Sequence, residues 1–196
     1  MNITTMMRGL QNGEGKPLLL ADEGKLEQIR NHPFYAPHVK TCREKAERFS
    51  KQDIRSIKYS YFKLFDETGD RTEFQRIYME HREMLIAFAM ACLIDGTHAA
   101  DLEDIIWAIC DEYSWCLTAH FQYGGTKVVE TLNDPPRGDG KMRPYYRKQE
   151  TMIDLCAAAT ASILAEVTAM FEDKLAPIVV YRARTLIRER VLEPFM

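Results

Sequence analysis

Apolar side chains recur every three or four residues along most of this chain, and this spacing constrains the fold more than any other feature. Between Arg71 and Ile94 the apolar positions share one helical period: Phe74, Ile77, Tyr78, Leu85, Phe88 and Cys92. Residues 153–171 are apolar on more than one side, which is typical of a helix buried between neighbours. The sequence therefore predicts an all-α fold that is helical from about residue 36 onward.

Turn-forming residues predict that the helices pair as antiparallel hairpins. Asp95 and Gly96 end the first long helix, and Thr97 offers an N-cap for the next one. Pro177 suits the first turn of the last helix, and Pro194 is expected to stop it. Two helices in roughly 40 residues is the spacing of an α/α array.

The first third of the chain is less regular than the rest. Pro37 suits the first turn of a helix that runs to about Phe49. Between residues 54 and 69 the apolar residues alternate for a few positions, which favours a short extended segment, although no second strand pattern exists to pair with it. We therefore predict one helical domain over residues 1–196, with a less regular segment at 1–69 and a long loop at 122–149.

The composition excludes several classes of function. A net charge of -3 gives no global field that would attract nucleic acid. No apolar run approaches the roughly 20 residues of a membrane span, and the polar N-terminus does not match a secretory signal. The five cysteines form no CxxC pair and lie mostly in apolar helical patterns, which indicates free thiols in the cytoplasm. No cofactor motif or metal-ligand spacing is present, so we expect neither a cofactor nor a metal.

Residues 105–120 form the most distinctive segment of the chain. It begins as an apolar helix and then places Tyr113, Trp115 and His120 where that helix should end. Aromatic rings and an imidazole at a helix exit suit a surface that stacks on sugar rings and hydrogen-bonds hydroxyls or carboxylates. The alternative interpretation is that Trp107 and Trp115 fill the core and that His120 is an ordinary surface residue.

Other polar residues have simpler explanations. The 122–149 segment interleaves basic and aromatic residues, a pattern that suits either an anionic polymer or a solvated loop. Asp101, Glu103 and Asp104 lie in the first turn of a predicted helix, where acids favour the helix dipole, and this explains them better than a glycosidase acid/base pair does. His81 and His98 are interpreted as structural or surface residues.

Two runs of the sequence and its 188–195 ending resemble a known family when they are taken in order. Residues 107–120 read WAICDEYSWCLTAH, close to the pattern W-x-I-C-x-E-Y-x-W-x-L-P-A-H, with Thr118 where a proline is usual. Residues 153–161 and the ending at 188–195 look like the next pieces in the same order. Roughly residues 74–196 therefore resemble the helical N-terminal region of the heparinase II/III-like family.

The resemblance implies an incomplete α/α toroid from a polysaccharide lyase scaffold. Members of the family cleave acidic polysaccharides by β-elimination, and their proton-transfer groups follow the Pro-Phe ending. The resemblance thus implies that this chain shapes one wall of a cleft for an acidic polysaccharide and has no catalytic residue of its own. Tyr113, Trp115 and His120 would be its substrate-binding residues.

Two further expectations concern partners. An incomplete toroid leaves an apolar helix face uncovered, which predicts a homo-oligomer. The alternative to a lyase scaffold is a non-enzymatic module in which helical hairpins stack and bind a protein partner.

Overall fold

The computed structural model describes residues 23–120 and 153–195. The helices in these ranges are α1 Glu23–Asn31, α2 Ala36–Phe49, α3 Tyr59–Thr68, α4 Thr72–Asp95, α5 Ala99–Asp111, α6 Leu155–Met170, α7 Pro177–Ile187 and α8 Glu193–Phe195. A 3-10 turn covers Thr118–His120, and a π-helical turn covers Arg188–Leu192. No strand occurs in the described ranges, and the all-α prediction is confirmed.

Helix α4 lies at the centre of the packing. It contacts α1, α2, α3 and α5, and α5 in turn contacts α7, which packs against α6. Neighbouring helices surround α4, so it has buried residues on several sides. Phe74, Leu85 and Ile94 are examples. One continuous cluster of buried apolar residues joins α2 to α7. The closure of the helices into a toroid of antiparallel hairpins stays a prediction.

The predicted break between α4 and α5 is confirmed, but the N-cap of α5 lies one residue later than predicted. Helix α4 ends at Asp95 and is capped by Gly96, which has a φ of +69° and donates its amide to the Cys92 carbonyl. The N-cap of α5 is His98 rather than Thr97. His98 adopts a left-handed φ of +64°, and its ring nitrogen Nδ1 lies 2.7 Å from the carboxylate of Asp101.

The expected extended segment is wrong for residues 59–68, which form α3. A lone strand would leave its backbone groups without partners, whereas a helix pairs them internally. Phe62 fixes the inner face of α3 because it is buried edge-on against Phe74, with ring centroids 5.8 Å apart. Gly69, with a φ of +79°, then ends the helix.

The last helix begins as predicted, but the helical path continues two residues beyond the expected end at Glu193, to Phe195. Pro177 is in the first turn of α7. Pro194 does not stop the helical path, because it lies in the first turn of α8, where its missing amide proton is tolerated.

Two predictions about the whole chain can be compared with the described residues. All five cysteines are free thiols, as predicted. Among the described helices, none combines the length and the apolar character that crossing a membrane requires.

Candidate functional site

A buried ion-pair cluster lies directly after α5 and is centred on Glu112. Arg82 of α4 grips this carboxylate with both terminal nitrogens, and its Nη2 lies 2.6 Å from Oε2. His81 places Nδ1 2.7 Å from Oε1 of the same carboxylate. We call Glu112, Arg82 and His81, together with Tyr78 and Thr160, the Glu112 cluster.

Both ring nitrogens of His81 face oxygen atoms that accept hydrogen bonds. Nδ1 faces Glu112, and Nε2 lies 2.8 Å from the backbone carbonyl of Arg55. A carbonyl and an ionised carboxylate only accept, so both bonds form when each ring nitrogen carries a hydrogen. His81 thereby ties the segment before α3 to the end of α5.

Tyr78 and Thr160 extend the cluster across the core. The Tyr78 hydroxyl donates to the carbonyl of Trp115 at 2.7 Å and lies 3.1 Å from the Thr160 hydroxyl. The guanidinium of Arg82 sits 3.5 Å from the centroid of the Tyr78 ring, and its Nε donates to Thr160. Burial raises the pKa of Tyr78 to about 12, so the hydroxyl keeps its proton. The cluster is saturated with partners and is structural in character.

Trp115 belongs to the core rather than to an exposed surface. Its side chain is 1% exposed, and the indole Nε1 donates to the Ile109 carbonyl at 2.9 Å. The Arg190 guanidinium lies over its ring at 5.0 Å from the centroid. The expectation that Trp115 stacks on a sugar therefore needs correction, because a ring packed in this way presents no open face to a ligand in this structure.

Tyr113 lies on a groove that we call the aromatic groove. Its described lining includes Tyr59, Phe62, Trp107, Tyr113 and the segment 54–58, and its volume is about 790 Å³. Tyr113 is 59% exposed and meets Phe62 edge-on at a centroid distance of 5.7 Å. Trp107 is 41% exposed. The groove thus offers several aromatic surfaces at the end of α5.

The charges on the aromatic groove nearly balance. Three of its charged side chains are already paired: Arg55 with Glu80, Asp111 with Arg182, and Glu112 with Arg82. Lys58 and Asp104, which also line the groove, carry opposite charges. Ring contacts rather than a net field would therefore hold a ligand there.

His120 forms a second histidine–carboxylate pair, this time at the surface. Its Nδ1 lies 2.5 Å from Oδ2 of Asp154, and its side chain is 46% exposed. Within the described part of the chain, Asp154 is the hydrogen-bonding partner of this ring. The His120 side chain therefore has room for a ligand, which the buried His81 lacks.

Asp154 is held in place by the backbone around it. It is the N-cap of α6 and accepts from the Ala157 amide at 2.7 Å through Oδ1. Oδ2 accepts from the Leu117 amide at 3.0 Å. Burial opposes ionisation of this carboxyl, but the hydrogen bonds from His120, Ala157 and Leu117 outweigh it and lower the pKa of Asp154 below its ordinary value.

Helix α3 connects the positions of Tyr113 and His120. Tyr113 contacts Phe62 on this helix, and the 3-10 turn that carries His120 also packs against it. Of the three predicted substrate-binding residues, Tyr113 and the turn that carries His120 therefore both contact α3, whereas Trp115 is buried in the core. The basic and aromatic segment 122–149 lies outside the described residues.

Sequence reasoning missed the Glu112 cluster and the role of Asp154. The signal for the cluster was present, because His81 and Arg82 interrupt an otherwise apolar helical stripe and a buried cation needs a carboxylate. The structural interpretation of His81 is confirmed. Asp154 gave no comparable signal, since its link to His120 spans 34 positions.

Comparison with known proteins leaves the chain unassigned: no family model and no curated protein matches it. In the described ranges, no three histidine, cysteine or acidic side chains come together as a metal site would require.

Proposed function

We propose that this chain is the helical domain of a heparinase II/III-like polysaccharide lyase and shapes one wall of a cleft for an acidic polysaccharide. Tyr113 and His120 are the contact residues in this proposal, whereas Trp115 supports the wall from inside. The resemblance assigns proton transfer to residues that follow the 188–195 ending, and the role proposed for residues 1–196 is binding.

The observation that carries the proposal is the contact between the two resembling runs. Asp154, in the second run, accepts hydrogen bonds from Leu117 and His120 of the first. The residues that give the resemblance are thus neighbours in space as well as in order. Their meeting point is a half-exposed imidazole, a group that can bond to sugar hydroxyls.

The aromatic groove gives the proposal a second support. Sugar rings have apolar faces that pack on aromatic side chains, and Tyr113 and Trp107 both line the groove while remaining partly exposed. A volume of about 790 Å³ is large enough for a short oligosaccharide segment. Tyr113 therefore supplies a stacking surface, and His120 supplies polar contacts.

Calorimetric titration with an alginate tetrasaccharide tests the proposal. The wild-type chain is expected to bind it, and Tyr113→Ala is expected to weaken binding about three- to tenfold because a ring contact is lost. The matched control is Tyr181→Ala. This tyrosine is 67% exposed on α7, away from the groove lining, so its removal should leave the affinity unchanged.

A neutral tetrasaccharide from cellulose separates acidic from general sugar binding. Weaker binding of the neutral sugar supports the proposal. Equal affinities, or no binding of either sugar by the folded chain, would refute it.

A turnover assay tests the proposed division between binding and chemistry. β-Elimination creates an unsaturated uronate that absorbs in the ultraviolet, and the chain alone should produce none. Steady formation of that product would show that the chain carries its own acid and base.

The second candidate is a helical module that binds a protein partner. It is favoured by one observation, the balanced charge and largely apolar character of the aromatic groove, with Ile54, Ile57 and Ala108 in its lining. Such grooves also accept apolar side chains of a partner helix. If the folded chain binds neither tetrasaccharide, the result would favour the protein-binding module over the lyase domain.

Self-association stays a prediction as well. Ile178 and Tyr181 are exposed on α7, and Leu155 is exposed at the start of α6. Sedimentation velocity at several concentrations checks this expectation, since a dimer through these residues would sediment faster as concentration rises.

A further inference from the structure

We infer that Asp154 is a positioning residue that makes Nε2 of His120 a hydrogen-bond acceptor for a hydroxyl of the bound sugar. This inference rests on the proposed function, since it assigns an atomic role within the same site. The inference goes beyond the proposed function in two ways. It names the residue that sets the orientation and tautomer of the imidazole, and it names the ring nitrogen that contacts the ligand.

The geometry around Asp154 determines which ring nitrogen carries the hydrogen. Oδ2 of Asp154 accepts from Nδ1 of His120, so the neutral imidazole has its hydrogen on Nδ1 and a lone pair on Nε2. The carboxylate cannot turn away easily, because the Ala157 and Leu117 amides hold both of its oxygens. The imidazole is therefore fixed in both orientation and tautomer.

The surroundings of His120 are consistent with contact to a ligand. Its side chain is 46% exposed, and no hydrogen bond joins Nε2 to another described residue. His81 provides the internal comparison, because its Nε2 is occupied by the Arg55 carbonyl. A sugar hydroxyl can donate to Nε2 of His120 and has no access to Nε2 of His81.

Two substitutions at Asp154 separate positioning from scaffolding. Both Asn and Ser can still cap α6 through Ala157, and both lose the charged acceptor for Leu117. An Asn whose carbonyl oxygen keeps the Ala157 cap places its NH2 group where Oδ2 was, so it loses the bond from the Leu117 amide and donates towards Nδ1. The ring hydrogen then moves onto Nε2, which cancels the acceptor role of that nitrogen. A Ser side chain is too short to reach the ring and leaves the tautomers mixed.

Nitrogen-15 NMR of His120 in the ligand-free chain tests the tautomer directly, at a pH where the ring is neutral. We expect the hydrogen on Nδ1 in the wild type, on Nε2 in Asp154→Asn, and on both in Asp154→Ser. Identical spectra in all three chains would overturn the inference, whatever the chain binds.

Titration with the alginate tetrasaccharide tests the consequence for binding. His120→Ala and Asp154→Asn are expected to lower the affinity about tenfold, and Asp154→Ser by less. A purely structural role predicts the opposite order, because Asn has the shape of Asp and disturbs the fold less than Ser. Thermal melting of each variant confirms that the chain titrated is folded.

The outcomes distinguish the inference from the proposed function. If the tautomers shift as expected but neither His120→Ala nor Asp154→Asn changes binding, the sugar-contact role fails while the Asp154–His120 coupling stands. If His120→Ala weakens binding and Asp154→Asn does not, the proposed function stands and the positioning role is wrong.

Discussion

Two histidine–carboxylate pairs in this protein have similar geometry and opposite surroundings. His81 lies 2.7 Å from Glu112 in the core, and His120 lies 2.5 Å from Asp154 at the surface. The buried ring has acceptors on both nitrogens, and Arg82 grips the same carboxylate. The exposed ring is fixed on one side only.

The difference shows how saturation with partners separates stability from function. A buried charge without a partner is costly, so the Glu112 cluster holds α4 and the end of α5 together. A half-exposed imidazole contributes little to stability, because water can replace its partner. The second pair therefore remains available for a ligand, and the predictions below test this separation.

The largest expected effect is on the stability of the buried pair. Glu112→Gln removes the charge that compensates Arg82 and weakens the acceptor that faces Nδ1 of His81, and it should lower the free energy of unfolding by about 3–5 kcal/mol. Urea denaturation followed by circular dichroism measures the loss.

Asp111→Asn is the matched control, since this carboxylate is adjacent in sequence and solvent-exposed in its pair with Arg182. It should change the free energy of unfolding by no more than about 0.5 kcal/mol. Equal losses of unfolding free energy in Glu112→Gln and Asp111→Asn would show that burial does not determine how much the cluster stabilises the fold.

Tyr78→Phe is expected to have an intermediate effect. It removes the hydroxyl that bonds to the Trp115 carbonyl and to Thr160 but keeps the ring beneath Arg82. Two buried groups lose a partner, which predicts a loss of about 1–2 kcal/mol in unfolding experiments. An unchanged free energy of unfolding in Tyr78→Phe would show that the cluster stabilises the fold through its ion pairs alone.

A smaller effect is expected from acid at the surface pair. The pKa of Asp154 is lowered in the folded chain from its ordinary 3.8, so the unfolded chain takes up the proton first as pH falls. The stability that Asp154 contributes is thus complete above pH 3.8 and is lost as the pH falls through the folded pKa. Urea midpoints measured at a series of pH values should therefore fall more steeply in the wild type than in Asp154→Asn. Parallel curves would contradict this.

The smallest expected change is that of Tyr113→Ala on stability. The ring is 59% exposed and packs edge-on against Phe62, so its removal should cost at most about 1 kcal/mol of unfolding free energy. A much larger loss in thermal or urea unfolding would place Tyr113 in the scaffold with Trp115.

The sequence predicted what depends on local spacing and missed what depends on distant partners. The apolar period defined α4, and Gly96 marked its end, because both signals act within a few residues. The alternation before Gly69 was misread, since strand or helix there depends on whether a second strand is available. Helical spacing could not show that the chain turns inward after α5 and buries Trp115.

The candidate site shows the same limit. Tyr113 and His120 were selected because of their residue types and their place at a helix exit. Their partners could not be selected in this way, because Phe62 and Asp154 reach them from elements far apart in the chain. Tertiary packing decides which of the candidate side chains face solvent.

The most direct test of the separation is one matched experiment on His120→Ala, in which unfolding free energy and affinity for the alginate tetrasaccharide are measured on the same preparation. The account predicts a stability within about 1 kcal/mol of the wild type and an affinity about tenfold lower. Unchanged affinity combined with a large loss of stability would contradict it, because His120 would then serve the fold as His81 does.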